Sequence, residues 1–356
     1  MFRPMLLLVL VAFAAAAGLS TPAELSANSS GVVDVSFDLA PLAVQDTARP
    51  RPEPPPDQRR RGTRRPSMVG YMSDGAIASQ VRLFFDAASE IDVPDRAEFF
   101  YAKCGCYQDL HGDPAHDPDA PGPRPGVVTD LDFQQLYLQA EYSPGARFSL
   151  FAVLPVRWVR PKAFLAGTGS FDDQSGLADL RGGVKFALAA SQDQRLTVQV
   201  QGTAPTGASE KGLGTDHWSV EPSLLGYQRL SDRLTVEGQL GIVVPIDGSA
   251  GVPVSAPEGF AGTILLYGIG PALEAYRTES ILLAPVVELI GWRVLDGFQT
   301  AAGQDASAED IDIVNLKLGA RLFYGDRSAF YAGYGTALTD RFWYDHIFRV
   351  EYRYGF

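Results

Sequence analysis

Thiols and imidazoles are scarce in this chain of 356 residues, which has 2 Cys and 4 His. They gather in one place. Cys104-Gly105-Cys106 precedes His111 and His116, with Asp109, Asp113, Asp117 and Asp119 between and beside them. Thiolate and imidazole together are the ligands of zinc and softer metals, so these four residues are weak metal candidates. The C-x-C spacing is tighter than the pairs that structural zinc sites use. A local disulfide, or two linked cysteines pinning a loop, accounts for them as well, with the aspartates solvated. Nucleophilic chemistry has one thin lead. His217 and Ser219 share a strand face, with His346 far off in sequence, but no G-x-S-x-G surrounds the serine. There is no Walker loop, and Gly212-Leu213-Gly214 is too short for a dinucleotide fingerprint. The expectation is a protein that is not an enzyme and carries no cofactor.

A larger set of reactive side chains recurs at every second position of long segments. Glu141, Asp179, Arg181, Lys185, Glu221, Glu237, Lys317, Arg321, Arg349, Glu351 and Arg353 all do so, as do Glu274 and Glu288. Both signs are present. On the wall of an enclosed interior they would line a solute path with a polarised constriction and weak ion selectivity. The same charges could instead close that interior as a salt-bridge network. Asp179, Arg181 and Lys185 are expected to pair across strands with Glu141, Glu221 and Glu237.

The elements that must hold these charges are strands. Leu196, Val198 and Val200 alternate with Thr197, Gln199 and Gln201; Val314, Leu316 and Leu318 alternate with Asn315 and Lys317. Period two gives one apolar and one polar face. The pattern predicts 12 strands, at 76–87, 131–142, 146–158, 176–190, 194–205, 215–229, 232–245, 260–276, 279–296, 310–325, 327–338 and 341–356. Tight turns alternate with long loops, except at Thr339-Asp340, where a short connection is expected. The strands are long enough to cross hydrocarbon when tilted, and their number is even. Aromatics at strand ends would form interfacial girdles: Trp158, Trp218, Tyr227, Tyr276, Trp292, Tyr324, Trp343, Tyr344, Tyr354 and Phe356. The final strand offers Phe348, Val350, Tyr352, Tyr354 and Phe356 on one face against Arg349, Glu351 and Arg353 on the other. An aromatic last residue resembles the signal that bacterial outer-membrane proteins show to their insertion machinery. The fold class expected is all-β: a 12-stranded antiparallel transmembrane barrel in a Gram-negative outer membrane. Both chain ends and the tight turns would lie in the periplasm. A secreted soluble β-sandwich is the weaker alternative.

Ahead of the strands, Met5–Gly18 is a short apolar run with Arg3 before it and small residues after, a secretory signal cleaved after Ala17 or Ala23. Residues 1–23 are read as the signal peptide, 24–75 as a disordered periplasmic tether rich in proline and arginine, and 76–356 as the barrel. Net charge is −12, which argues against nucleic acid as a partner. The expected partners are outer-membrane lipid, a small-molecule solute and the insertion machinery.

One stretch carries a family resemblance. Gly176–Leu188 (GLADLRGGVKFAL), Thr203–Gly207 (TAPTG) and Gly212–Gly241 give a G-L-x-D-x-R strand, a hairpin, a strand ending in P-T-G and a following G-x-G-T. This resembles the outer-membrane transporter family associated with the meta-pathway of phenol degradation. The resemblance implies a barrel for uptake of small molecules, aromatic ones among them. A structural or surface-binding barrel with a shut lumen is the alternative.

Overall fold

The computed structural model describes residues 67–91, 128–164, 166–167, 169–215, 217–246, 261–301 and 304–356. The signal segment, most of the tether and the Cys104/Cys106/His111/His116 stretch lie outside the described residues. Twelve long strands follow: β1 Gln80–Ile91, β2 Val128–Tyr142, β3 Phe148–Phe164, β4 Leu180–Ala190, β5 Gln194–Ala204 and β6 Trp218–Arg229 make the first half. The second half is β7 Leu234–Ile246, β8 Ile264–Leu273, β9 Ile281–Val294, β10 Asp312–Tyr324, β11 Ser328–Ala337 and β12 His346–Gly355. Each pairs antiparallel with its neighbours, and β1 pairs with β12 from Gln80–Gly355 to Ser89–His346. The sheet is therefore a closed barrel of 12 strands.

Closure follows from where the apolar side chains point. Leu83, Leu138, Leu150, Phe186, Leu318 and Phe330 lie exposed on the outside, while Gln139, Ser149, Lys185, Lys317 and Arg353 are buried inside. An apolar exterior around a polar interior is the reverse of a soluble sheet and is that of a bacterial outer-membrane barrel. In hydrocarbon an open edge would leave a row of unpaired N–H and C=O groups, so the first and last strands must meet. The seam is packed on both faces. Leu83 sits opposite Tyr352 and Phe85 opposite Val350 on the lipid side. On the inner side Asp86 faces Arg349 and accepts two hydrogen bonds from it, both at 2.6 Å.

Several expectations need correction. The first strand runs 80–91, not 76–87, and the last begins at His346. The final connection is the eight-residue stretch 338–345, not a short turn at Thr339-Asp340. The segment read as one strand over 176–190 is broken: Gln174–Leu177 pairs with β3, and β4 resumes at Leu180 after Ala178-Asp179. The aromatic girdle is real for Trp158, Trp218, Tyr276, Tyr324, Tyr354 and Phe356, which are exposed. Tyr227, Trp343 and Tyr344 are buried in the interior instead. Tyr227 shares the inward parity of Glu221, Ser223 and Leu225, and the longer last connection is what folds Trp343 and Tyr344 inward.

The largest correction concerns residues 67–75. The sequence pattern places them in the disordered tether 24–75. They are ordered inside the barrel, with Met68, Val69 and Met72 packed against Leu266, Val286 and Ile290.

A charge placed on the lipid face tests this orientation. Leu318→Arg, at the middle of β10, is expected to lower barrel stability by about 2–4 kcal/mol. Urea titration of the protein folded in phospholipid vesicles measures it, with Leu318→Ile as the near-neutral control.

Candidate functional site in the barrel interior

The interior is built around the segment 67–79, which runs up the lumen in no regular secondary structure before β1. A strand finds its hydrogen bonds in the next strand. This segment has no such neighbour, so side chains of the wall must satisfy its backbone. Met68 N–H donates to Glu237 Oε1 at 2.6 Å, and Ser73 N–H to Gln239 Oε1 at 2.8 Å. The N–H groups of Gly70, Tyr71 and Met72 converge on the Glu288 carboxylate at 2.9–3.2 Å. Arg321 donates to the carbonyls of Met68 (3.0 Å) and Val69 (2.5 Å), and Arg349 to that of Gly70 (2.7 Å). Thr197 Oγ1 donates to Gly75 O, and Arg353 binds the Asp74 carboxylate at 2.7 Å. Hydrogen bonds with one charged member contribute roughly 1.5–3 kcal/mol each, so this set holds the segment firmly.

Three glycines make room for it. A Cβ on Gly70 would fall 2.1 Å from the Tyr331 ring. On the facing wall a Cβ on Gly268 would come within 2.7 Å of Met72 Sδ, and one on Gly270 within 2.8 Å of Val69 Cγ1.

The charged residues named from the sequence fall into three groups. Glu351 is a hub: Arg82, Arg321 and Arg353 reach it at 2.6, 2.7 and 3.1 Å. Glu237, Arg321, Arg349 and Arg353 hold the segment, as given above. Of the cross-strand pairs expected around the G-L-x-D-x-R strand, only Lys185–Glu141 forms, at 3.0 Å. Glu221 accepts instead from Ser223 Oγ (3.1 Å) and Gln201 Nε2 (3.4 Å). Arg181 Nε has no hydrogen-bond partner.

Asp179 does something the sequence did not disclose. The strand break at Ala178-Asp179 frees its carboxylate to reach across to the β5–β6 loop. Oδ1 accepts the N–H of Gly207 at 2.9 Å; Oδ2 accepts Thr215 N–H at 2.8 Å and Thr215 Oγ1 at 3.0 Å. One carboxylate thus ties the P-T-G to the G-x-G-T. No side chain fits at Gly214, where a Cβ would lie 2.4 Å from Asp179 Oδ1. The loop so held delivers Leu213 into an apolar cluster with Phe133, Val159, Ile264, Trp343 and Ile347. That cluster caps the interior at the loop end of the barrel.

Between cap and segment lies a cavity of about 300 Å³. One wall is a row of alternating rings and cations. Tyr137 stacks on Phe84 at 4.3 Å; Arg349 lies over Phe84 (4.8 Å) and over Tyr71 (4.6 Å). Lys317 lies over Tyr71 (4.7 Å) and Tyr344 (4.4 Å), and its Nζ donates to Tyr344 Oη at 2.9 Å. In the strand register Lys317 sits opposite Glu288. That carboxylate is occupied by the segment's three N–H groups and the Tyr331 hydroxyl, and Lys317 makes no ion pair among the described residues. The arrangement can hold a small solute with both polar and aromatic surface. His217 Nδ1 stands 2.9 Å from the Thr215 carbonyl, within the loop held by Asp179. Among the described residues, the metal-ligand types that approach one another are Glu90, Asp345 and His346, at the loop end.

The inward glycines of β8 were a readable signal for the lumen segment, since Gly268 and Gly270 leave a groove on a face that should carry side chains. Lys317's loss of Glu288 had no sequence signal.

Two substitutions test these contacts. Glu288→Gln is expected to speed amide exchange at Gly70–Met72 by roughly tenfold to a hundredfold, with little change in the strands. Asp179→Asn should raise exchange across 205–215 and leave 67–79 protected. Hydrogen-exchange mass spectrometry of the folded barrel reads both.

No curated protein sequence matches the chain significantly. Among solved structures, an outer membrane channel from Pseudomonas putida F1 aligns with a TM-score of 0.49 at 15% identity, over 79% of this chain and 96% of that one. The beta domain of the Bordetella autotransporter BrkA gives 0.43 at 15% identity, over 78% and 100%. LpxR from Salmonella typhimurium gives 0.41 at 12% identity, over 78% and 100%. A family model described as "Putative MetA-pathway of phenol degradation" matches residues 117–247, which contain Asp179, Gly207 and Thr215, and this is the family that the chain resembles.

Proposed function

We propose that the protein is an outer-membrane channel or transporter for small molecules, aromatic ones among them. The observation that carries this reading is the half-open cavity of about 300 Å³, lined by both rings and hydrogen-bonding side chains, inside a membrane-spanning barrel. That volume lies at the lower end of ligand pockets, roughly 300–1,000 Å³, and suits a single substituted ring. The match of residues 117–247 to the phenol-degradation family supports the same reading. In this reading the charges at Glu141, Asp179, Arg181, Lys185, Glu221, Glu237, Lys317, Arg321, Arg349, Glu351 and Arg353 serve transport by shaping the lumen and by holding the segment 67–79 within it. The barrel acts by passage, not by catalysis. Its last strand, ending Tyr354-Gly355-Phe356, is the part recognised by the insertion machinery.

A second reading has a specific observation in its favour. The hydrogen bonds that fix 67–79 suit a structural or surface-binding barrel whose lumen stays shut. Planar-bilayer recording separates the two. The channel reading expects discrete conductance steps from the intact protein, and larger or longer-lived steps from the Glu288→Gln/Arg321→Gln double variant. Silence from both proteins, once folded barrels are verified by heat-modified gel mobility, would favour the shut barrel.

A further inference from the structure

Each charge on the cavity lining can be followed to its partner. Arg82 pairs with Glu351 and Arg349 with Asp86. Arg157 is buried against the Phe133 ring and donates from Nε to Gln135 Oε1 at 2.6 Å. Lys317 is closed off between Tyr71 and Tyr344. Arg181 and Glu221 remain, opposite in sign and both partly exposed. Glu221 accepts hydrogen bonds only from neutral groups, Ser223 Oγ at 3.1 Å and Gln201 Nε2 at 3.4 Å. Arg181 makes neither an ion pair nor a hydrogen bond among the described residues. Its Nε is buried without a partner, and its terminal nitrogens are accessible.

The strand register keeps these two side chains apart. Thr203 stands opposite both Arg181 and Ser219, and Ser219 is two residues from Glu221. Arg181 and Glu221 therefore lie on either side of β5, with their backbones roughly 12 Å from each other. A partly desolvated cation and a partly desolvated anion face one space, and each lacks a counter-charge.

We propose that this cavity binds a small zwitterion, an α-amino acid with an apolar side chain. Its carboxylate pairs with Arg181 and its ammonium with Glu221. Those two ligand groups hang from one carbon, so a single molecule can bridge the gap between the side chains. The half-buried Trp292 on the same lining offers an apolar surface to the rest of the ligand. A carboxylate without an ammonium would leave Glu221 uncompensated, and an amine without a carboxylate would leave Arg181 so. The two signs on one lining therefore select a ligand that carries both.

This inference names a solute class for the channel reading and rests on that reading for its meaning, but binding is measurable without passage. The experiment is isothermal titration of the full-length barrel in detergent with phenylalanine, phenylpropionate and phenylethylamine, at neutral pH and constant ionic strength. On one skeleton, phenylpropionate lacks the ammonium and phenylethylamine the carboxylate. Phenylalanine is expected to bind tighter than either by about tenfold or more, the worth of one charge-assisted contact. Arg181→Gln should weaken phenylalanine and phenylpropionate by about tenfold and not weaken phenylethylamine. Glu221→Gln should weaken phenylalanine and phenylethylamine by a similar factor and not weaken phenylpropionate. Because either variant could fail to fold, the ranking of the three ligands on the unaltered protein is a test in its own right. Equal affinity for phenylalanine and either analogue overturns the proposal. So does binding of none of the three, the result expected if water alone bridges Arg181 and Glu221, and so does an equal loss of all three in both folded variants. Phenylalanine binding by an electrically silent barrel would uphold this inference while sinking the channel reading. Conductance without amino-acid preference would do the reverse.

Discussion

An unpaired backbone N–H or C=O away from water is expensive, and most of this structure is a response to that fact. In the hydrocarbon the response is closure. Each strand takes its partner from the next, and β1 takes β12, so no edge faces lipid. Inside the barrel the same constraint acts on a segment with no strand beside it. Residues 68–75 find their partners in side chains, which is why carboxylates and guanidinium groups line the wall at that height. At the loop end it acts again, where Asp179 answers two backbone N–H groups of the β5–β6 loop.

The lumen charges are therefore better understood as hydrogen-bonding groups for peptide than as a set of mutual ion pairs. Glu288 shows the trade. Across the β9–β10 pairing it faces Lys317, and a bare barrel would be expected to pair them. Three converging N–H groups form an anion-binding concavity of the kind successive peptides make in turns. Together with Tyr331 they hold the carboxylate. Lys317 is left between two tyrosine rings, where the quadrupoles of the π faces partly stand in for an anion. The aromatic content of the interior follows from this. Tyr71 comes from the segment and Tyr344 from the last connection, so the cage around Lys317 exists only when both are folded inward.

Two devices bound the cavity, and they differ in kind. The loop-end cap is apolar, made of Leu213, Trp343, Ile347 and strand-end residues. The lumen segment is held by charged hydrogen bonds. An apolar cap yields to an apolar solute more readily than a hydrogen-bonded segment does. The inward glycines at 268 and 270 let the side chains of Met72 and Val69 approach the wall closely.

Much of this was legible in the residues. Alternation of apolar and polar positions is a local property, and it located all 12 strands, the tight-turn and long-loop ends, and the outward faces of β10 and β12. The inward parity of the charged residues was equally local. What alternation could not supply was the partner of each inward charge, because that depends on what else occupies the lumen. Tyr227 and Trp292 already had inward parity, and reading them as girdle residues set position along the strand above parity. Trp343 and Tyr344 required the true length of the last connection. The segment at 67–75 looked like the end of a tether because it is short and lacks a period. Its order comes entirely from groups 120–280 residues away in the chain, such as Thr197 and Arg353. The sequence by itself determined a closed sheet with a wet inside and an oily outside, since that follows from period and length. Only the tertiary structure decided which carboxylate met a peptide and which cation was left between tyrosine rings, since that turns on competition for one group among partners remote in sequence.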